Sequence, residues 1–187
     1  MRIHEIYVPG SAAGAKVRKD GDEWTLILVR DLRHPPAMVW QALTDPAHLR
    51  DWAPFDADRN LSTVGPVKLS TVGAPTPQVS ETTVTRAEAP RLLEFSWGGD
   101  LRWELEPLGS GTRLTLWHNI DRRLISWGAA GWHICFDVLD KLLAGEPIGR
   151  MVGVETMKFE GWQRLAAEHA KQFGAETPSW QPSTPKR

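Results

Sequence analysis

The chain has 187 residues, 41% apolar and 24% charged, which fits one soluble globular domain with short appendages and excludes collagen-like, disordered and membrane classes. Lys and Arg number 22 against 23 Asp and Glu, a net charge of -1. No basic stripe gathers the positive charge that a run of phosphates demands, so nucleic acid is not an expected partner. Cys135 is the single cysteine, which rules out an intramolecular disulfide or a cysteine-rich zinc site and suits a reducing, cytoplasmic setting.

Met1-Arg2-Ile3-His4-Glu5-Ile6 lacks the charged-then-apolar run of a signal peptide, and no stretch of about 18 apolar residues occurs to span a membrane. Residues 1–14 end in Pro9-Gly10-Ser11-Ala12-Ala13-Gly14, which reads as an arm without regular structure. Residues 15–32 read as a hairpin, with Asp20-Gly21 between a short polar strand and Trp24-Thr25-Leu26-Ile27-Leu28-Val29. The second strand is apolar on both faces and is expected to be central. Pro35-Pro36 supplies preset backbone angles for a helix carrying Val39, Trp40 and Leu43. Asp45 then caps a second short helix with Pro46 at its first position and Leu49 and Trp52 on one face.

After a loop rich in Asp, Gly and Pro the hydrophobic period falls to two, and four or five strands are expected across 65–119. Leu93, Phe95 and Trp97 share one face; Leu101, Trp103 and Leu105 alternate with Arg102, Glu104 and Glu106; Leu114 and Leu116 alternate with Arg113 and Thr115. Gly98-Gly99-Asp100 and Gly109-Ser110-Gly111 read as hairpin turns, so the sheet is antiparallel and meandering. From Ser126 a long helix presents Gly131, Trp132, Cys135, Val138, Leu139, Leu142 and Leu143 on one face and His133, Asp137, Asp140 and Lys141 on the other. Ala144-Gly145-Glu146-Pro147 breaks it. A further helix is expected over 152–173, ending at Gly174, and 175–187 reads as a loose tail containing Trp180. The architecture is therefore α+β, an antiparallel sheet with the long C-terminal helix across its apolar face, in a single domain over 15–174.

Three pieces of the sequence carry a family resemblance. Arg30-Asp31-Leu32, His34-Pro35-Pro36 and Val39-Trp40-Gln41-Ala42-Leu43-Thr44-Asp45-Pro46 resemble a first strand and helix pair. Leu114-Thr115-Leu116-Trp117-His118 resembles a last strand, and Gly131-Trp132 through Leu142 the opening of a C-terminal helix. Together, over 23–173, they are similar to the activator-of-90-kDa-heat-shock-protein-ATPase-like proteins of the START-related SRPBCC superfamily. The resemblance implies a helix-grip (START-like, Bet v 1-like) fold whose cavity between sheet and helix binds apolar ligands in many members. It implies no single reaction, because the superfamily spans lipid carriers, polyketide cyclases and hormone-binding proteins. The separate chaperone-binding domain of the eukaryotic activator has no counterpart here, so a chaperone partner finds no support in the residues.

Few residues offer chemistry. His133 and Cys135 lie two apart on a helix, about 200° around its axis, and cannot chelate one ion. His4-Glu5 lacks the second histidine of a zinc-protease helix, and Asp56 and Asp58 lack the Gly and Glu of a calcium loop, so no metal or other cofactor is expected. There is no Gly-x-Ser-x-Gly elbow and no phosphate loop, and Cys135 falls on an apolar helix face where a thiol is inert. His133 with Asp137 reads as a solvated pair. Arg30 is in phase with Leu26 and Leu28 and either ends its strand in solvent or presents a charge at a cavity mouth. Alternation from Leu114 and Leu116 turns His118 inward, where it could orient a ligand or act as a base.

Ten tryptophans beside five Phe and one Tyr are the oddity of the composition. A dry cavity of about 300 Å³, at roughly 24 cal/mol per Å³, would cost about 7 kcal/mol, comparable to the stability of a whole domain. The space is therefore filled by rings, wet, or occupied by a ligand. The reading is a ligand-binding domain with Trp97, Trp103, Trp132 and Phe136 as apolar walls and His118 as the orienting polar contact for a small apolar or aromatic molecule. The alternatives are a cyclase- or hydrolase-type enzyme acting on a polyketide-like substrate and a chaperone-linked interaction module.

Overall fold

The computed structural model describes residues 7–175. Strands β1 (Ala15–Asp20) and β2 (Glu23–Leu32) form the expected hairpin, closed by the pair Asp20 and Glu23 around Gly21 at φ 61°. Helix α1 (Pro36–Thr44) begins at its proline, and α2 (Pro46–Trp52) is capped by Asp45, whose carboxylate accepts from the Ala47 amide at 2.9 Å. The Trp52 indole donates to the Ala42 carbonyl at 2.8 Å and holds the two helices together.

Strands β3 (Phe55–Ala57), β4 (Gly65–Thr71) and β5 (Gln78–Val84) form a three-stranded sheet. Strands β6 (Arg86–Glu88), β7 (Leu92–Ser96), β8 (Asp100–Leu108) and β9 (Gly111–Asn119) join β1 and β2 in a six-stranded antiparallel sheet of order β1-β2-β9-β8-β7-β6. Six strands thus form within 65–119 where four or five were expected, and β3 forms in the expected loop, anchored by the buried Phe55. Strand β2 is interior, as its two apolar faces demand, with β1 on one side and β9 on the other. The turn at Gly99 requires glycine: a Cβ there would lie 2.0 Å from the Asn119 carbonyl oxygen.

The inner faces alternate as the period of two dictates, with Leu26, Leu28, Leu101, Leu105, Leu114 and Leu116 each at most 2% exposed. Helix α3 (Ile125–Leu143) covers this face and packs against β2, α1 and α2. The expected helix over 152–173 is two, α4 (Gly153–Met157) and α5 (Glu160–Phe173), because Phe159 takes an extended backbone conformation, φ -78° and ψ 130°, between them. That bend lays α5 along α3 as an additional layer.

Two expectations change as a result. The His133–Asp137 face of α3 is not solvated, because α5 and residues 7–14 cover it, and His133 is 5% exposed. Residues 7–14 have no regular structure, as expected, but they are fastened. Arg164 donates to the Pro9 carbonyl, the Ala12 amide donates to Glu168 at 2.8 Å, and Gln172 donates to the Ala12 carbonyl at 2.9 Å. Apart from Ala175, the expected tail with Trp180 lies outside the described residues. No helix among the described residues is long and apolar enough to cross a membrane.

Candidate functional site

The space between sheet and helix is largely filled by rings. Trp103 meets Trp52 edge-on at 6.1 Å between centroids, Trp132 edge-on at 5.4 Å, and Phe136 at 6.1 Å. Phe55 fills the neighbouring space against Phe95 at 5.7 Å and Trp97 at 5.3 Å. Trp103 and Phe136, 1% and 0% exposed, belong to this solid core and do not reach open space.

What remains open is a pocket of about 210 Å³ at the edge of that core. Trp97 and His118 from the sheet and Trp132 from α3 line it, so three of the five residues singled out in the sequence meet there. Trp127 and Cys135 of α3, Met151 and Met157 of the segment after it, and Trp162 of α5 complete the walls. No lining side chain belongs to Asp, Glu, Lys or Arg. Gly131 leaves the helix side of the pocket bare: a Cβ there would meet nothing within 4 Å.

His118 is 4% exposed, and both of its nitrogens are engaged by the protein. The Trp132 indole N–H can only donate, and it reaches His118 Nδ1 at 3.0 Å. The imidazole proton is therefore on Nε2, which donates to the Trp97 carbonyl at 3.0 Å. Burial drives the histidine pKa from 6.5 down to about 4, against the opposing pull of the Trp97 and Gly98 carbonyls and Asp100. His118 is thus a neutral strut joining β9, the β7–β8 turn and α3, and it has no free lone pair for a substrate proton. The Cys135 thiol is likewise held protonated, its pKa pushed up to about 12 by burial.

A second cluster of titratable groups lies on the other side of α3. Arg30 pairs with Asp137 at 2.7 Å on α3, so it neither ends its strand in solvent nor stands at the mouth of the sheet–helix pocket, the two positions open from sequence. The Tyr7 hydroxyl donates to the same carboxylate, and His133 Nε2 lies 3.6 Å from it. The His169 ring sits 6.0 Å from that of His133, with both nitrogens buried and unpartnered. Burial lowers the pKa of His169 to about 4 and lowers that of His133 as well. Asp137 and His169 line none of the four main depressions among the described residues, and the cluster, with Arg30 and Asp137 24% and 18% exposed, acts as a part-buried fastening. Among the described residues no group of three or more His, Cys, Asp or Glu is placed to hold a metal ion. A larger depression of about 600 Å³ lies on the outer face of the sheet, but its charges neutralise one another: Arg102 pairs with Glu104 at 2.6 Å and approaches Glu94 at 3.7 Å.

Trp127 and Trp162 were not singled out as site residues. The signal available for them was the i, i+4 row Trp127, Gly131, Cys135, which places a ring, a bare position and a thiol along one stripe of α3.

A curved antiparallel sheet gripping a long helix, with an apolar pocket at the helix flank, defines a helix-grip protein. A family model described as Activator of Hsp90 ATPase homolog 1-like protein matches residues 33–144, and the chain belongs to that family. Among solved structures, a conserved protein of unknown function, EF2215 from Enterococcus faecalis, superposes with a TM-score of 0.65 at 14% identity, covering 84% of this chain and 89% of that one. CalU16 from Micromonospora echinospora superposes with a TM-score of 0.59 at 22% identity over 90% of this chain and 97% of its own. Protein MLL2253 from Mesorhizobium loti does so with a TM-score of 0.57 at 24% identity over 65% and 97%. At these identities the likeness speaks to fold. No curated protein matches the chain.

Proposed function

We propose that the chain binds a small apolar or aromatic molecule noncovalently in the pocket between β9, the β7–β8 turn, α3 and the segment 151–162. The observation that carries this reading is the lining: four tryptophans, Trp97, Trp127, Trp132 and Trp162, surround about 210 Å³ that no charged side chain enters. Such a surface gains little from water and gains dispersion and hydrophobic energy from an apolar guest. A cyclase or hydrolase would need a free base at the pocket, whereas both His118 nitrogens are already bonded and the Cys135 thiol stays protonated. The single buried cysteine supports a reducing, cytoplasmic setting.

Native and denaturing mass spectra of freshly purified protein test the reading, with a defined small-molecule mass expected in the first and lost in the second. The Gly131→Leu variant supplies the control, since a Cβ there meets nothing within 4 Å and the longer side chain starts from open pocket space. The variant is expected to fold with at least wild-type stability and to lose the adduct. Wild-type protein that stays bare when offered apolar aromatic compounds at millimolar concentration refutes the proposal and favours an interaction role of the kind the family description names.

A further inference from the structure

The pocket has an unequal origin. Of its fourteen lining residues, Met151, Val152, Gly153, Thr156, Met157 and Trp162 come from 151–162, beyond the 33–144 stretch matched to the family. We infer that this segment is the specificity wall of the pocket, and that it restricts the part of a ligand that enters to a flat, uncharged body of about two fused rings. The inference rests on the reading in the preceding subsection and goes beyond it by naming the ligand class and the element that selects it.

Size comes first. An apolar protein cavity of about 150 Å³ accommodates benzene, so the roughly 210 Å³ inside this pocket holds a body of about two fused rings. The wall is tied down on both sides. Arg150 donates to the carbonyls of Ala53 at 2.6 Å, Phe55 at 2.9 Å and Leu49 at 3.3 Å, and to the Asp56 carboxylate at 2.8 Å. Three residues on, Gly153 at φ 75° lies flat against Gly73, where a Cβ would come within 2.5 Å of the Gly73 backbone, and the Val154 amide donates to the Gly73 carbonyl at 3.2 Å. Trp162 braces the far end against Trp127, edge-on at 5.7 Å. A wall held in this way does not swing out to admit a bulkier guest.

Charge comes second. No acidic or basic side chain lines the pocket, His118 is neutral, and Thr156 carries the one hydroxyl among the lining residues. A carboxylate or ammonium entering this space would leave water without gaining a charged partner, and the site disfavours it. Flatness follows from the rings: Trp97 stands at 80° to Trp132 and Trp127 at 66° to Trp162, so each pair offers a planar guest an indole face to stack on and an indole edge to meet.

The test follows the indole N–H signals of Trp97, Trp127, Trp132 and Trp162 by NMR during titration with phenol, 2-naphthol, 9-phenanthrol, 1-hydroxypyrene and 2-naphthoate. Expected is tightest binding for 2-naphthol, with 1-hydroxypyrene and 2-naphthoate at least tenfold weaker. In Met151→Ala/Met157→Ala the preference is expected to move at least tenfold toward 9-phenanthrol; Met157→Ala alone, at a half-buried position, is expected to move it in the same direction without disturbing the fold. Equal affinity for 1-hydroxypyrene and 2-naphthol, or an unchanged ranking in both variants, overturns the specificity wall while leaving apolar binding in place. If none of the five probes moves any of these signals, the pocket does not bind and both readings fall.

Discussion

Mild acid should unfold this protein through its buried histidines before its carboxylates take part. His118 and His169 have pKa values of about 4 in the fold against an ordinary 6.5, because burial penalises their charged forms. The unfolded chain therefore binds their protons first. The stability carried by the neutral rings is complete above about pH 6.5, is lost progressively as the pH falls toward about 4, and falls no further below that. At about 1.36 kcal/mol per unit of pKa difference, each ring forfeits about 2 kcal/mol between pH 7 and pH 5, or about 4 kcal/mol for the pair. That is a large fraction of a typical domain's stability. His133, lowered in the same direction by burial while Asp137 pulls it upward, adds to the loss. The assay is urea denaturation followed by tryptophan fluorescence at half-unit steps from pH 7 to 5. His169→Leu isolates one ring: its two nitrogens have no partner, so an apolar replacement should leave stability at pH 7 unchanged or raised. Its stability should then fall with pH about 1.4 kcal/mol per unit less steeply near pH 5 to 6 than wild type. Parallel curves for variant and wild type would refute the reasoning.

Other perturbations probe separate features. Gly131→Ala, within α3 and facing open space, should raise stability by about 1 kcal/mol, measured by chemical denaturation. Trp132→Phe should cost about 1 to 3 kcal/mol more than Trp103→Phe, because the first strands His118 Nδ1 whereas the Trp103 indole N–H has no partner to lose; equal costs would show that the Trp132–His118 bond carries no weight. Arg150→Met leaves three carbonyls without their donor and should lower stability by about 2 to 4 kcal/mol, with earlier proteolytic cleavage near residue 150 as a second readout. Cys135 lines the uncharged pocket, so a charged thiol reagent at pH 8 should reach it only at the rate of unfolding, whereas reaction within seconds in native buffer would contradict its burial and raised pKa.

The elements that were legible in the sequence announce themselves within a few residues. Pro36 and Pro46 mark helix starts, Asp45 caps, Gly21 and Gly99 turn hairpins, and alternation turns His118 inward. What stayed hidden depends on pairing across the chain. Nothing near His133 or Asp137 says that α5 will cover them, so a His–Asp pair four apart reads as a wet helix face until that layer is in place. Trp97, His118 and Trp132, which the structure brings together at the pocket, stood out because inward alternation and the apolar helix face pointed to them. Trp103 and Phe136 share those patterns and differ only in depth: the pocket stops short of them because Trp132 stands between. The wall at 151–157 read only as the start of a helix over 152–173, since Gly149 and Gly153, at φ 89° and 75°, shape it through backbone conformation that no side-chain pattern records.

The fastening of residues 7–14 to α5 bears on how the chain comes to be made. The arm leaves the ribosome early, yet its partners Arg164, Glu168 and Gln172 follow 155, 156 and 160 residues later along the chain. Until they emerge, Pro9 and Ala12 have nothing to hold, and the face of α3 bearing His133 and Asp137 is bare to chaperones and proteases alike. Closing so long a span costs entropy that local contacts cannot repay in instalments. The clasp therefore forms late and as a unit, and a ribosome pausing before residue 164 leaves a nascent chain whose sheet is complete but whose arm has not met α5.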